Sequence, residues 1–156
     1  MKRTCLNTEL SLSNVGQKVT LLGWVSKRRN FGSIVFIDLR DRSGIIQIMV
    51  PDADKFPDVR NEYVIQVTGT VKAKEQPNEK LKTGKIEVVA EEIKVINTAK
   101  TTPIIIADDT DALEDTRLKY RYLDLRRPIM QHYFDIRDQI KITTHQYLHE
   151  LNFIEI

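Results

Sequence analysis

Over the first hundred residues, hydrophobic positions recur every second residue. Val19, Leu21, Gly23 and Val25 alternate with Thr20, Leu22, Trp24 and Ser26, a period of two that predicts a long first β-strand. Ile34 to Leu39 and Ile45 to Val50 are β-branched runs, and Arg40-Asp41-Arg42-Ser43-Gly44 between them reads as a hairpin turn. Pro51 to Arg60 is polar with two prolines and leaves room for a helical turn or two at most. Tyr63 to Val71 predicts a fourth strand with Gly69 as a bend or bulge. Glu75 to Gly84 is a polar loop, and Ile86 to Ile96 predicts a fifth strand.

A long first strand, five strands in all and a short insert between the third and fourth predict a mainly β fold, a five-stranded OB-fold Greek-key barrel over residues 1–100. A six-stranded Greek-key barrel is the alternative, and it accounts less well for the strand count. Thr98 to Asp115 is acidic and irregular, and residues 101–128 read as a linker or hinge. From Ile129 the period changes: Tyr133, Ile136, Ile140, Tyr147, Leu148 and Leu151 recur at helical steps. Asn152 is placed to close that helix, and Phe153-Ile154-Glu155-Ile156 reads as a strand beginning. Residues 129–156 are therefore expected to be the truncated start of a further domain.

Composition narrows the classes. At 156 residues, 41% hydrophobic and 29% charged, the chain is globular rather than disordered. Its apolar runs are too short and too often interrupted for a membrane span. The opening MKRTCLNTEL lacks the apolar core of a signal peptide. The single Cys5 has no disulfide partner, and no Cys/His cluster has metal-ligand spacing. A cytoplasmic location is expected. The net charge of +2 is unevenly spread, with 17 Lys+Arg against 12 Asp+Glu in residues 1–100 and 7 against 10 thereafter. A mildly basic front half suits a polyanion.

No constellation suits catalysis. His132, His145 and His149 fall in the C-terminal helix without a third ligand or a general base, and read as solvated positions. The nucleic-acid signal lies in Lys27-Arg28-Arg29-Asn30-Phe31-Gly32 at the end of the first strand, Phe36 on the second and Gln47 on the third. Cations hold a backbone, an aromatic face stacks a base, and an amide pairs with a base edge. Residue types alone leave the alternatives open. Phe36 also fits a barrel core, Gln47 a satisfied surface amide, and the cations a solvated strand end.

Two stretches carry a family likeness. Gly23-Trp24-Val25 with Lys27-Arg28-Arg29, then IVFIDLRDR over Ile34 to Arg42 and Gly44-Ile45-Ile46-Gln47, resembles the anticodon-binding domain of bacterial aspartyl-tRNA synthetases. RLKYRYLDLRRP over Arg117 to Pro128 is similar to the hinge leading into their α+β class II catalytic domain, and residues 129–156 to the start of motif 1. The resemblance implies an aspartate-accepting tRNA as partner. By it, Phe36 stacks the middle anticodon base, Gln47 reads that base, Arg28 and Arg29 contact the loop, and Asn78 and Glu87 contact the outer bases. It makes Lys27, Lys72 and Lys74 phosphate contacts, the last two standing where arginines are usual. ATP and Mg2+ belong to later motifs of a full-length homodimeric ligase, so this stretch is expected to hold no catalytic residue, cofactor or metal and to be inactive alone. Lys27 and Asn30 replace the commoner Arg and Asp, which leaves open whether asparagine tRNA is also charged. Lysyl and asparaginyl enzymes share the barrel. A general single-strand binder would lack a use for the hinge, and a structural barrel whose face contacts protein predicts no RNA binding and no salt dependence.

Overall fold

The computed structural model describes residues 2–156, in two compact units divided at Thr101. The first unit contains strands β1 (Lys18–Phe31), β2 (Ile34–Asp41), β3 (Gly44–Val50), β4 (Val64–Ala73) and β5 (Ile86–Asn97), joined as a closed barrel in the order β1-β2-β3-β5-β4. Every neighbouring pair is antiparallel except β3 and β5, which run parallel with Ile48 opposite Val88. Alternate residues point inward: Val19, Leu21 and Val25 from β1, Val35, Ile37 and Leu39 from β2, Ile46 and Ile48 from β3. Each such side chain contributes roughly 1.5–3 kcal/mol on burial, which fixes the register, because a slip of one residue would turn the whole set to water.

Three register irregularities shape the barrel, one of them between Val64 and Ile65 at the start of β4. In β1 the pairing with β2 shifts between Val25, opposite Leu39, and Lys27, opposite Asp38. The extra residue reverses the parity of the strand end, so Arg29 shares the outer face with Phe36 instead of following Val25 inward. In β4 the register shifts between Thr68 and Gly69, the bend expected there. A Cβ at Gly69 would overlap the Val89 carbonyl, so the two strands approach only because position 69 has none.

The β2–β3 turn is organised by Asp41. Its carboxylate accepts from Ser43 N at 2.8 Å, Ser43 Oγ at 2.6 Å, Gly44 N at 3.2 Å and Asn7 N at 2.8 Å. Asn7 in turn donates from Nδ2 to the Leu39 carbonyl at 2.9 Å, tying the N-terminal segment to the hairpin. The β3–β4 insert holds one short 3-10 turn, Ala53–Lys55.

The second unit contains α1 (Glu114–Lys119), α2 (Arg121–Asp124) and α3 (Pro128–Glu150). The stretch expected as a linker or hinge thus carries two short helices. They are gathered on Asp124, which is fully buried and accepts from Arg117, Arg121 and Arg127, each at 2.8 Å. Asp108 reaches across 21 residues to accept the Ile129 amide at 3.0 Å, satisfying a donor of the first turn of α3 behind Pro128.

Asn152 does end α3. It adopts φ 64°, its N–H donates to His149 O at 2.9 Å, and Phe153 N donates to Leu148 O at 3.0 Å, the paired bonds of a Schellman closure. The strand expected over residues 153–156 does not form. The second unit contains no strand, and the segment instead folds back on the helix, with Glu155 3.0 Å from His145 Nδ1.

Candidate nucleic-acid interface

One open cleft of about 610 Å3 lies on the outside of the barrel, lined by residues of β1, β2, β3, β4 and β5 and of the loop between β4 and β5. Arg29, Phe36, Gln47, Lys72, Lys74, Asn78 and Glu87 all line it. Residues from five separate stretches of sequence therefore converge on one surface. Lys27 and Arg28 do not line it. Arg28 pairs in register with inward-facing Ile37, and its guanidinium lies 3.3 Å from Asp58.

Phe36 is not a core residue. It shares strand parity with half-buried Asp38 and Arg40, while Val35, Ile37 and Leu39 take the interior. Met49 stands directly opposite it on β3. Phe31, 66% exposed, meets the Phe36 ring edge-on, with centroids 5.8 Å apart and planes at 77°. A T-shaped pair of this kind holds the lower ring in place and leaves aromatic surface for a stacked base.

Gln47 is satisfied in the free protein, as the surface-amide alternative expected, but by charged partners inside the cleft. Its Oε1 accepts from Lys74 Nζ at 3.1 Å and from Arg29 Nη2 at 3.4 Å, and its Nε2 donates to Glu87 Oε2 at 2.8 Å. Arg29 Nη2 also donates to Asp38 at 2.6 Å, and its Nε is buried with no hydrogen-bond partner among the described residues. Burial pushes the Lys74 ammonium down from its ordinary pKa, against the opposing pull of Glu87 and Asp38.

Asp38 is a site residue that the sequence reading passed over. The available signal was its position two residues beyond Phe36, on the same face of the strand. Asn78 sits at the mouth of the β4–β5 loop, where its N–H donates to Gly84 O at 3.0 Å and Leu81 N donates to its carbonyl at 3.2 Å. A Cβ at Gly84 would overlap the Asn78 carbonyl, so glycine is needed for the loop to close this tightly.

The closed five-stranded barrel thus gathers an outward aromatic ring, a side-chain amide and three cations in one external cleft, the kinds of group that suit a nucleic acid. The chain belongs to the OB-fold nucleic acid binding domain family, whose profile matches residues 19–96. Residues 113–156 match the family of class II tRNA synthetases for D, K and N. The aspartate–tRNA ligase of Streptococcus thermophilus is 47% identical over 163 residues, covering 100% of this chain and 28% of its own length. An aspartate–tRNA(Asp/Asn) ligase of Bacillus cytotoxicus is 48% identical over 163 residues, covering 99% of this chain and 28% of its own length. The expected likeness to aspartyl-tRNA synthetases is borne out by these relatives, of whose length this chain spans little more than a quarter. An aspartyl tRNA synthetase from Entamoeba histolytica shares the fold with a TM-score of 0.89 at 24% identity, over 100% of this chain and 39% of that one. Among the described residues, no helix is long and apolar enough to cross a membrane.

Proposed function

We propose that the barrel reads the anticodon loop of an aspartate-accepting tRNA on behalf of an ATP-dependent aspartate–tRNA ligase that acts in the cytoplasm as a homodimer. The observation that carries this reading is the outward Phe36 beside Gln47 in a cleft that gathers seven of the nine expected contact residues. An anticodon loop is already single-stranded, so presenting its bases costs less than opening a duplex. Phe36 stacks the middle base without regard to identity, Gln47 selects it through one donor and one acceptor, and Asn78 and Glu87 meet the flanking bases. Lys72 holds phosphate at the rim. Lys27 and Arg28, outside the lining, are assigned no base contact.

The relatives are named for two specificities, aspartate tRNA alone and aspartate plus asparagine tRNA. The anticodons of both tRNAs share the middle base, so reading that base alone is compatible with either. ATP and Mg2+ serve the full-length ligase. No group of three or more His, Cys, Asp or Glu among the described residues is placed to hold a metal ion, and this stretch alone is expected to carry no aminoacylation.

Fluorescence anisotropy with an aspartate anticodon stem-loop, and with the same hairpin altered at its middle base, tests the reading. The expected result is selective binding that weakens as salt rises, with a slope of about −0.7 per phosphate contact. Phe36→Ala is expected to weaken both hairpins, and Gln47→Ala to abolish the preference between them. Equal binding to the two hairpins by the unaltered protein would replace this function with general single-strand binding.

A further inference from the structure

Gln47 is held by opposite charges at its two ends. The carbonyl oxygen accepts from Lys74 and Arg29, and the amide nitrogen donates to Glu87. A primary amide is nearly symmetric in shape, so packing alone does not choose between its two orientations. Charge does. Turning the amide over would set its oxygen against the Glu87 carboxylate and its N–H groups against the Lys74 ammonium and the Arg29 guanidinium, exchanging three charge-assisted bonds for three repulsive contacts.

The backbone fixes both charged partners. Glu87 stands on β5 opposite Lys72 of β4. Lys74 follows the end of β4, and its N–H donates to the Lys85 carbonyl at 3.0 Å. Its ammonium turns into the cleft and reaches Gln47.

The orientation of this amide matters to a pyrimidine. Uracil offers an acceptor at position 4 and a donor at N3, whereas cytosine offers a donor at position 4 and an acceptor at N3. An amide that matches one edge matches the other only after it is turned over. We propose that Lys74 and Glu87 are specificity-determining positioning residues, which lock the Gln47 amide in one sense and thereby select uracil over cytosine at the base stacked on Phe36. This inference rests on the anticodon-reading function proposed above.

The test uses the whole 156-residue chain and two stem-loop hairpins that differ only by uridine or cytidine at the middle position. The readout is the ratio of their dissociation constants, with the salt slope measured alongside. The unaltered protein is expected to prefer uridine by on the order of tenfold, the scale of a good bidentate base contact. Lys74→Met and Glu87→Gln are each expected to bring that ratio several-fold toward unity without altering the salt slope. The exchange Lys74→Glu with Glu87→Lys is expected to invert the preference toward cytidine. If the exchange unfolds the barrel, the two single variants carry the test.

An unchanged ratio in Lys74→Met, with a salt slope shallower by about 0.7, would make Lys74 a phosphate contact and overturn the proposal while leaving anticodon reading in place. An unaltered protein that fails to distinguish the hairpins would remove both.

Discussion

Residues 36 and 37 are chain neighbours on opposite faces of β2, and truncating each to alanine separates recognition from packing. Ile37 is 1% exposed in the core, so Ile37→Ala loses the transfer energy of its methyl and methylene groups and leaves a cavity, about 2–5 kcal/mol. For a unit of about a hundred residues, each kcal/mol shifts Tm by about 4–8 °C, giving a fall of roughly 10 °C or more. Phe36→Ala removes an outward ring in T-shaped contact with Phe31, a contribution of about 0.5–1.5 kcal/mol. Its Tm is expected to fall by only a few degrees. Its effect on RNA is the larger one. Loss of a stacked base costs ~1–3 kcal/mol, a rise in Kd of about five- to 150-fold. Circular dichroism melts give the first quantity, and anisotropy with the anticodon hairpin gives the second. If Phe36→Ala melts as low as Ile37→Ala yet binds RNA unchanged, Phe36 is a packing residue and the assignment of the cleft is wrong.

Three further outcomes follow from the geometry. Gly84→Ala places a methyl on the Asn78 carbonyl and breaks the bonds that close the β4–β5 loop; at about 1 kcal/mol each, a melt should show a loss of about 2 kcal/mol, with weaker hairpin binding as Asn78 moves. Asp41→Ala removes an acceptor for four donors in the β2–β3 turn, and chemical denaturation should record a loss of about 3 kcal/mol, because bonds to a charged group exceed neutral ones. In the second unit, the hydrogen bond from Arg117 holds the Asp124 carboxyl below its ordinary pKa, aided by Arg127 against the cost of burial. Its folded value therefore lies below its unfolded one. The stabilisation is present above the unfolded value, near 3.9, and is lost as pH falls through the folded value. Hydrogen exchange over residues 117–128 should accelerate in that acid window, and at neutral pH in Asp124→Asn; protection that is insensitive to both changes would refute the role of the cluster.

The strands were legible because each has one face in the core, and period-two burial leaves a period-two sequence. Their ends were less so. β4 continues past Val71 through Lys72 and Ala73 because Glu87 and Ile86 are there to pair with them, and no property of the two residues themselves announces it. Phe36 was ambiguous by type, yet its parity with Asp38 and Arg40 already pointed outward. The placement of Arg29 was not legible. It follows Val25 by four residues and would face the core in a regular strand, and only the irregularity near Ser26 turns it to the cleft. The hinge carries its own signal in the spacing of its charges. Arginines seven and three residues before Asp124 and three after it have the spacing of a helical turn closing on one carboxylate. The apolar run at residues 153–156 was over-read as a strand, because apolarity predicts burial or association but a strand also requires a partner.

The charges of the cleft bear on how selectivity and affinity divide. Its lining carries three cations, Arg29, Lys72 and Lys74, and three carboxylates, Asp38, Glu75 and Glu87. A surface built only to hold a polyanion would omit the acids, since each repels phosphate. Within the cleft, however, Asp38 fixes Arg29 and Glu87 fixes Gln47, so the groups facing a base are oriented before it arrives. Orientation paid for on folding is not charged again on binding. Under the anticodon-reading function proposed above, the acids would also disfavour entry of the sugar–phosphate backbone and could accept from base N–H groups, which favours bases inside and phosphates at the rim. The attraction that draws the loop in then comes from the net +5 of residues 1–100 as a whole, screened within about 10 Å at ordinary salt. Raising salt should therefore weaken every hairpin by a similar factor, while the ratio between hairpins that differ at one base stays nearly constant.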